Sequence, residues 1–255
     1  LKSKQQLLLL LTATITPSQG AQVARRDPSL RRADYFEAFT YWLNHSDNRL
    51  NRILFIENSA ADIDEFHSAA SHSSKDVEII SIPPNPPPPG MHYGYSELQM
   101  IDMALSQSRL RKQTSHMIKA TGRLIFPDLP KLLDHLPESF RLVVDARARL
   151  PFRKSERGFI SVQLFLSQHE FYDEYLRHSY TALTPAFLYP SFVEHLFFEL
   201  LTPLKGQNGI LLRFPVNCEP VGFAGHLTKR YDSPQRLVAA RARALLRVIA
   251  PDFWL

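Results

Sequence analysis

The segment HMIKATGRLIF, residues 116–126, begins and ends as an apolar strand yet carries Lys119, Thr121, Gly122 and Arg123 at its centre. Two cations beside a glycine can bring charge and backbone N–H groups onto a phosphate, because glycine permits close approach and unusual φ. Arg123 adds a planar fork of donors that suits phosphate or carboxylate oxygens. The pattern is not a P-loop, since the four-residue spacer and the closing Lys-Ser/Thr are missing. A β-bulge with exposed charges accounts for the same residues equally well. Taken alone, the segment leaves the choice between an anion site and a surface break open.

Other residues have chemistry to offer. Asp145 ends the apolar run FRLVVDARA and is followed by Arg147 and Arg149. A carboxylate there can bind a metal, orient a sugar or serve as a base. Arg147 stands where a metal-binding Asp-x-Asp pair would have its second acid. That disfavours a tight Mg²⁺ or Mn²⁺ site built from this segment alone, and a cation there can instead neutralise a diphosphate leaving group. Glu194 and Glu199 lie on SFVEHLFFELL, which sets Phe192, Leu196, Phe197 and Leu200 along one helical face. Core packing explains that helix. An acid on a helix roofing a pocket can also be a general base with a raised pKa, and Glu194, beside His195 and the aromatic face, is the better placed of the two. Gly94 and Glu97 open another helix. Capping by Ser96 and the preference for an acid near a helix N-terminus explain them, and the same geometry can set Glu97 against a ribose or sugar hydroxyl.

Several chemistries are excluded. The ten histidines show no HExxH or His-x₃-His spacing. There is no Gly-x-Ser-x-Gly elbow and no Gly-x-Gly-x-x-Gly. Cys218 is the only cysteine, which rules out an intramolecular disulfide and a multi-cysteine zinc cluster and fits a reducing compartment.

The elements that must position these residues alternate regularly in the first half. QLLLLLTATI (6–15) is a continuous apolar run, suited to a strand buried on both faces. An aromatic helix with Pro28 near its start is expected over 27–44, a strand over 51–59, a helix with Asp62 as its cap, and a strand over 76–82. A helix over 95–110 and the strand 116–126 complete a βαβαβαβ series. Such a series implies a mostly parallel sheet with helices on both faces. Ligands of these sheets sit at the carboxyl ends of the strands, where Thr14, Glu57 and Asn58 fall. Six prolines between Pro83 and Pro89 make a stiff polyproline-like loop, read as a rigid connection beside the site rather than a ligand for an SH3-type partner.

Beyond residue 126 the pattern is more irregular. A helix is expected over 129–136, strands over 140–148 and 158–167, and helices over 169–178 and 191–201. A strand pair from GILLRFP and EPVGFAG and a basic helix over 233–250 follow. No repeat or linker interrupts the chain. The expectation is one domain over 1–255, with a nucleotide-binding half at 6–126 and an acceptor and catalytic half at 127–255.

The chain has 255 residues, 44% hydrophobic and 22% charged, with a net charge of +5. This is a soluble globular profile whose surface favours anionic partners, although so modest an excess serves solubility as readily. No apolar run reaches the ~18 residues of a membrane helix. The leucine run at 7–11 is too short and lacks a small-residue cleavage site, so a signal peptide is not expected. The expected location is cytoplasmic, with peripheral contact at the inner face of a membrane left open.

Taken in order, the motifs resemble a family of glycosyltransferases from bacterial lipopolysaccharide-core and capsule clusters. TATITP (12–17) matches its opening Thr-Ile-x-Pro strand, and RRDPSLRRADYFEAFTYWL its Arg-rich Asp-Pro segment and aromatic helix. Glu57-Asn58-Ser59, GYSE, KATGR, DAR and the Glu-bearing helix follow in the family's order, with Ser96 where the family has a second glycine. The resemblance covers about residues 12–201. It implies a Rossmann-like, GT-A-type α/β fold and transfer of a sugar from a nucleotide-sugar donor to a glycan or glycolipid acceptor, with no nucleic-acid partner. On that footing Thr14, Glu57 and Asn58 hold the nucleoside, and Gly94 and Glu97 border the ribose or sugar. Lys119, Thr121, Gly122, Arg123 and Arg147 face the diphosphate, Asp145 orients donor sugar or metal, and Glu194 deprotonates the acceptor. A divalent cation, Mg²⁺ or Mn²⁺, is left open and not required by the residues. The alternatives are a nucleotidyltransferase, which needs a metal-binding acid pair, and a non-catalytic protein binding through its proline loop and basic last helix. Convergence of Asp145, Arg123 and Glu194 on one cleft separates catalysis from mere binding.

Overall fold

The uncharged run Leu7–Ala13 forms β1, and every residue of it is buried. Alternate leucines feed opposite faces: Leu8 and Leu10 enter one core, Leu7, Leu9 and Leu11 the other. β1 lies between β2 (Arg52–Glu57) and β4 (His116–Thr121), parallel to both. A strand with neighbours on both edges and cover on both faces must be apolar throughout. β3 (Asp76–Ser81) extends the sheet past β2 in parallel. On the other side β6 (Phe159–Gln168) runs antiparallel to β4 and to β5 (Leu142–Arg147), and β7 (Ile210–Leu211) pairs parallel with β5. The seven strands lie in the order β3-β2-β1-β4-β6-β5-β7, the mostly parallel, Rossmann-like α/β sheet expected. The structure, a computed structural model, describes residues 6–19, 23–147, 158–185, 188–225 and 230–232, together with 238, 240, 241, 243–245 and 249.

Helices cover both faces. α1 (Pro28–Asn44) and α2 (Asp64–Ser71) bring Tyr35, Phe39, Trp42 and Phe66 to one core, joined by α4 (Leu129–Asp134). α3 (Gly94–Gln107) and α6 (Val193–Leu201) pack on the other, with α5 (His169–Phe171) and the π turn Tyr172–Leu176 that continues it. α1 starts where the sequence says it should: the Asp27 carboxylate accepts from the N–H groups of Ser29 and Leu30, and Pro28 occupies the first turn.

Three expectations change. The strand over 116–126 stops at Thr121: Gly122 N–H still meets the Thr12 carbonyl at 2.9 Å, but Leu124 N–H turns back to the Thr121 carbonyl at 2.9 Å and Ile125 bridges to Val221. GILLRFP and EPVGFAG do not pair with each other: Ile210 and Leu211 pair with Leu142 and Val143. Asp62 is not the residue before α2; it accepts from Asp64 N–H at 2.9 Å and leaves that position to Ile63. Most of the basic segment 233–250, and Arg149, lie outside the described residues. Among the described residues no helix is long and apolar enough to cross a membrane.

Candidate functional site

The carboxyl ends of β1, β2 and β4, with the first turns of α3 and α6, surround a cavity of about 250 Å³. Thr14, Asn58, Glu97, Thr121, Arg123 and Glu194 all line it. What turns Arg123 into this space is the glycine before it. A Cβ on Gly122 would lie 2.6 Å from the Thr12 carbonyl oxygen, so only glycine lets the end of β4 rest on β1. The Arg123 Nε then donates to the Phe223 carbonyl at 3.2 Å, and the guanidinium covers Gly225, where a Cβ would lie 2.5 Å from Nη2. Burial works against its charge, but the phenolic oxygens of Tyr35, Tyr93 and Tyr231 more than offset that. Among the described residues, no carboxylate lies within ion-pair distance of Arg123.

Lys119, the other cation of the segment, has a different position. It is 1% exposed, and its Nζ stands 2.7 Å from Glu97 Oε1 while donating to the Val162 carbonyl at 2.7 Å and Thr121 Oγ1 at 3.3 Å. It therefore neutralises Glu97 from behind and does not line the cavity. Glu97 also accepts from Thr12 Oγ1 at 2.9 Å. Burial pushes the Glu97 carboxyl up, yet the Lys119 charge and hydrogen bond, Thr12 and Arg123 together hold it below the ordinary glutamate value. Glu194 moves the opposite way: burial raises it, and the negative Glu97 raises it further, against its own helix N–H and Lys119. Two acids in one cavity are thus pushed apart. Gly94 arranges this without touching the cavity itself. A Cβ there would lie 2.3 Å from Val193 Cγ2, so the glycine lets α3 close on α6 and sets Glu194 near Glu97.

Glu57 is fully buried and braces the loop after β1. It accepts from Ile15 N–H at 3.1 Å, from Ser59 N–H at 2.9 Å and from the Ser59 hydroxyl. Asn58 takes the Thr14 hydroxyl at 2.6 Å and donates to Asn85 Oδ1 at 2.6 Å. Asn85, inside the proline run, donates in turn to the Ser96 carbonyl and to Gln99. That staple makes the loop a fixed wall, with Pro84, Pro86 and Pro87 facing the cavity. Ser96 does not cap α3, which starts after Tyr93; its hydroxyl is buried without a hydrogen-bond partner and lines the cavity.

Asp145 does not join the convergence expected of it, the outcome that the non-catalytic alternative predicts, and of the three residues only Arg123 and Glu194 share a cavity. It is 1% exposed, and its Oδ2 accepts from Arg147 Nε at 2.9 Å. Arg147 reaches on to Glu219 at 3.4 Å, which also meets Arg243 at 2.9 Å. With a guanidinium on its carboxylate, Asp145 does not fit a divalent cation. Among the described residues no group of three His, Cys, Asp or Glu side chains could hold a metal ion. Arg147 instead lines a second, larger cavity of about 990 Å³. Tyr93, Gln163, Glu194 and Tyr231 line both cavities, so Glu194 stands at their junction.

Sequence reasoning passed over Arg31, Tyr35, Tyr93 and Gln163 as site residues, all cavity walls. One signal was there for Arg31. It shares the face of α1 that carries the buried Tyr35, Ala38, Phe39 and Trp42, where a surface arginine has no reason to be.

No protein-family model matches this chain, and no curated protein does. Solved structures with a similar layout include a 4-diphosphocytidyl-2C-methyl-D-erythritol synthase from Anaerococcus prevotii, with TM-score 0.47 and 9% identity over 95% of this chain and 97% of that one. A protein assigned as a glucose-1-phosphate thymidylyltransferase from Bacillus anthracis gives TM-score 0.49 and 12% identity over 93% and 95%. The inositol-1-phosphate CTP transferase from T. maritima gives TM-score 0.41 and 10% identity over 71% and 78%. At this distance, the chemistry of the site has to be read from its own residues.

Proposed function

We propose that this chain is a glycosyltransferase that takes a sugar from a nucleotide donor, with the donor's phosphate end on Arg123 and the acceptor hydroxyl at Glu194. The observation that carries this is the Arg123 guanidinium: it lines a cavity at the carboxyl ends of parallel strands with no carboxylate partner among the described residues. Glu97, which shares the cavity and feels the Arg123 charge, offsets only part of the several kcal/mol that taking such an ion out of water costs, and an anionic ligand offsets more of it. Thr14 and Asn58 face the nucleoside, and Glu97 the ribose or sugar hydroxyls.

Glu194, at the junction of the two cavities, takes the proton of the acceptor hydroxyl as that oxygen forms its bond to the anomeric carbon. The bond from that carbon to the phosphate oxygen breaks, and the nucleotide leaves with the electron pair. Arg123 meets the charge that develops there. The resemblance to lipopolysaccharide-core and capsule transferases supports a glycan or glycolipid acceptor in the larger cavity. Nucleotidyl transfer, the other chemistry considered, calls for a metal-binding acid pair, and Asp145 is held by Arg147.

A panel of nucleotide sugars screened by thermal shift tests this reading, since a bound donor raises the melting temperature. One donor should stabilise the wild-type chain. Arg123→Ala should remain folded without ligand but lose that shift and all transfer. Unchanged turnover in Arg123→Ala would sink the assignment.

A further inference from the structure

In the basic segment 233–250, residues 238, 240, 241, 243–245 and 249 are helical. The two faces of this helix are unlike each other. Ala240, Arg243 and Ala244 line the larger cavity; Ala240 is buried, and Arg243 is held by Glu219 at 2.9 Å. The opposite face carries Val238, Leu245 and Ile249. A helix turns once in about 3.6 residues, so the side chains seven and eleven positions beyond Val238 return to its side. They are 66%, 60% and 68% exposed, the three most exposed large apolar side chains among the described residues. A surface helix ordinarily turns polar groups outward, and an aligned stripe differs from apolar residues scattered singly over a surface.

The charge of the segment points to what covers the stripe. Residues 233–250 contain four arginines, Arg236, Arg241, Arg243 and Arg247, and no aspartate or glutamate. Arg241 is exposed. It follows Val238 by three residues and precedes Leu245 by four, the spacing of neighbours on a helix surface. An apolar face flanked by arginine suits a helix lying in the plane of a lipid interface, with aliphatic groups among the acyl chains and guanidinium at anionic headgroups. A second copy docked through the same face would set two such arginine-rich, acid-free segments against each other. Nucleic acid would engage the arginines but offers nothing to three aliphatic side chains. We infer that the outer face of this helix docks on an anionic phospholipid surface, Val238, Leu245 and Ile249 entering the lipid and Arg241 meeting the headgroups. The helix that walls the larger cavity is then seated on the bilayer. The inference does not depend on which reaction the chain performs.

Flotation of the intact chain with vesicles of phosphatidylcholine alone, and of phosphatidylcholine mixed with phosphatidylglycerol, tests this. Partitioning onto the anionic vesicles should be about tenfold stronger or more, and should weaken as salt screens the surface charge. Leu245→Ser combined with Ile249→Ser changes two exposed positions, so the chain should keep its circular dichroism spectrum while partitioning falls about tenfold or more. Arg241→Gln should cost about fivefold on the anionic vesicles and little on the neutral ones. Absence of binding to the anionic vesicles, or equal binding to both kinds, overturns the inference, and that comparison needs no variant to fold. Binding that survives in the double variant overturns it too. Sedimentation that shows a dimer dissolved by the double variant, without vesicle binding, assigns the face to a second copy instead. An RNA oligonucleotide that binds where vesicles do not gives the segment to nucleic acid and also overturns the lipid assignment.

Discussion

Glu97 and Glu194 show how one cavity gives two carboxyl groups opposite tendencies. Glu97 has Lys119 behind it and stays ionised; Glu194 has burial and the charge of Glu97 against it. A general base works only when deprotonated, so turnover should rise with pH through a value above that of an ordinary glutamate and then level off. A kcat–pH profile checks this, and a flat profile across that range would count against Glu194. Glu194→Gln should lower kcat by about 10²–10⁴-fold, the usual worth of a general base, with nucleotide affinity unchanged in calorimetry. Lys119 makes the complementary case. Lys119→Met leaves Glu97 without its counter-charge and should cost about 3–5 kcal/mol, the figure for breaking a buried pair, seen as an earlier urea midpoint. Glu97 has its folded pKa below its unfolded value, so the stability it contributes is present above the unfolded value. That stability fades as pH falls through the folded one. The gap in stability between wild type and Glu97→Gln should therefore close in acid, and a gap independent of pH would refute the pairing.

At the level of elements, the site depends on how closely neighbours approach. β1 and β4 meet at Thr12 and Gly122, and the obstacle to a larger residue there is backbone, which cannot swing away as a side chain does. Gly122→Ala should lose about 1–3 kcal/mol, as overpacking does, and should weaken nucleotide binding further by turning Arg123 out of place. Denaturant melts beside calorimetry would show both, and a variant with wild-type stability would mean that the contact is softer than the geometry implies. α3 and α6 meet in the same way at Gly94 and Val193. The proline run is held by Asn85 between Asn58 and α3, a wall of the cavity as its composition suggested. Such a wall suits a site whose ligand must be met by groups already in position.

Across the whole molecule, charge is divided unevenly between the two sides of the sheet. The β1–β4 side carries Arg31 and Arg123 toward a common space, whereas Arg147 and Arg243 beyond β6 are matched by Asp145 and Glu219. Arg31 and Arg123 line that cavity together with Glu97 and Glu194. Nucleotide binding should be the same in chelator and in Mg²⁺ or Mn²⁺, within about twofold, because among the described residues no carboxylate set is arranged to recruit a divalent ion. Calorimetry in the two buffers decides this, and a large gain on adding metal would show that the ligand's own phosphates complete a site that these side chains do not.

The α/β class, the strand ends that carry Thr14 and Asn58, and the place of KATGR on the fourth strand follow from the sequence, because hydrophobic period and turn chemistry are local properties of a few residues. The strand boundary at Gly122 was less legible, since the need for glycine comes from Thr12 on the neighbouring strand. Only the folded chain decides which of the two cations of KATGR is free to meet a ligand. Lys119 points to Glu97 on α3, while Arg123 finds phenols and a carbonyl. Likewise only the fold sets Arg31 beside Arg123 and withdraws Asp145 behind Arg147. Whether a charge is compensated depends on distances between segments far apart in the chain, and spacing along the sequence carries no record of those distances.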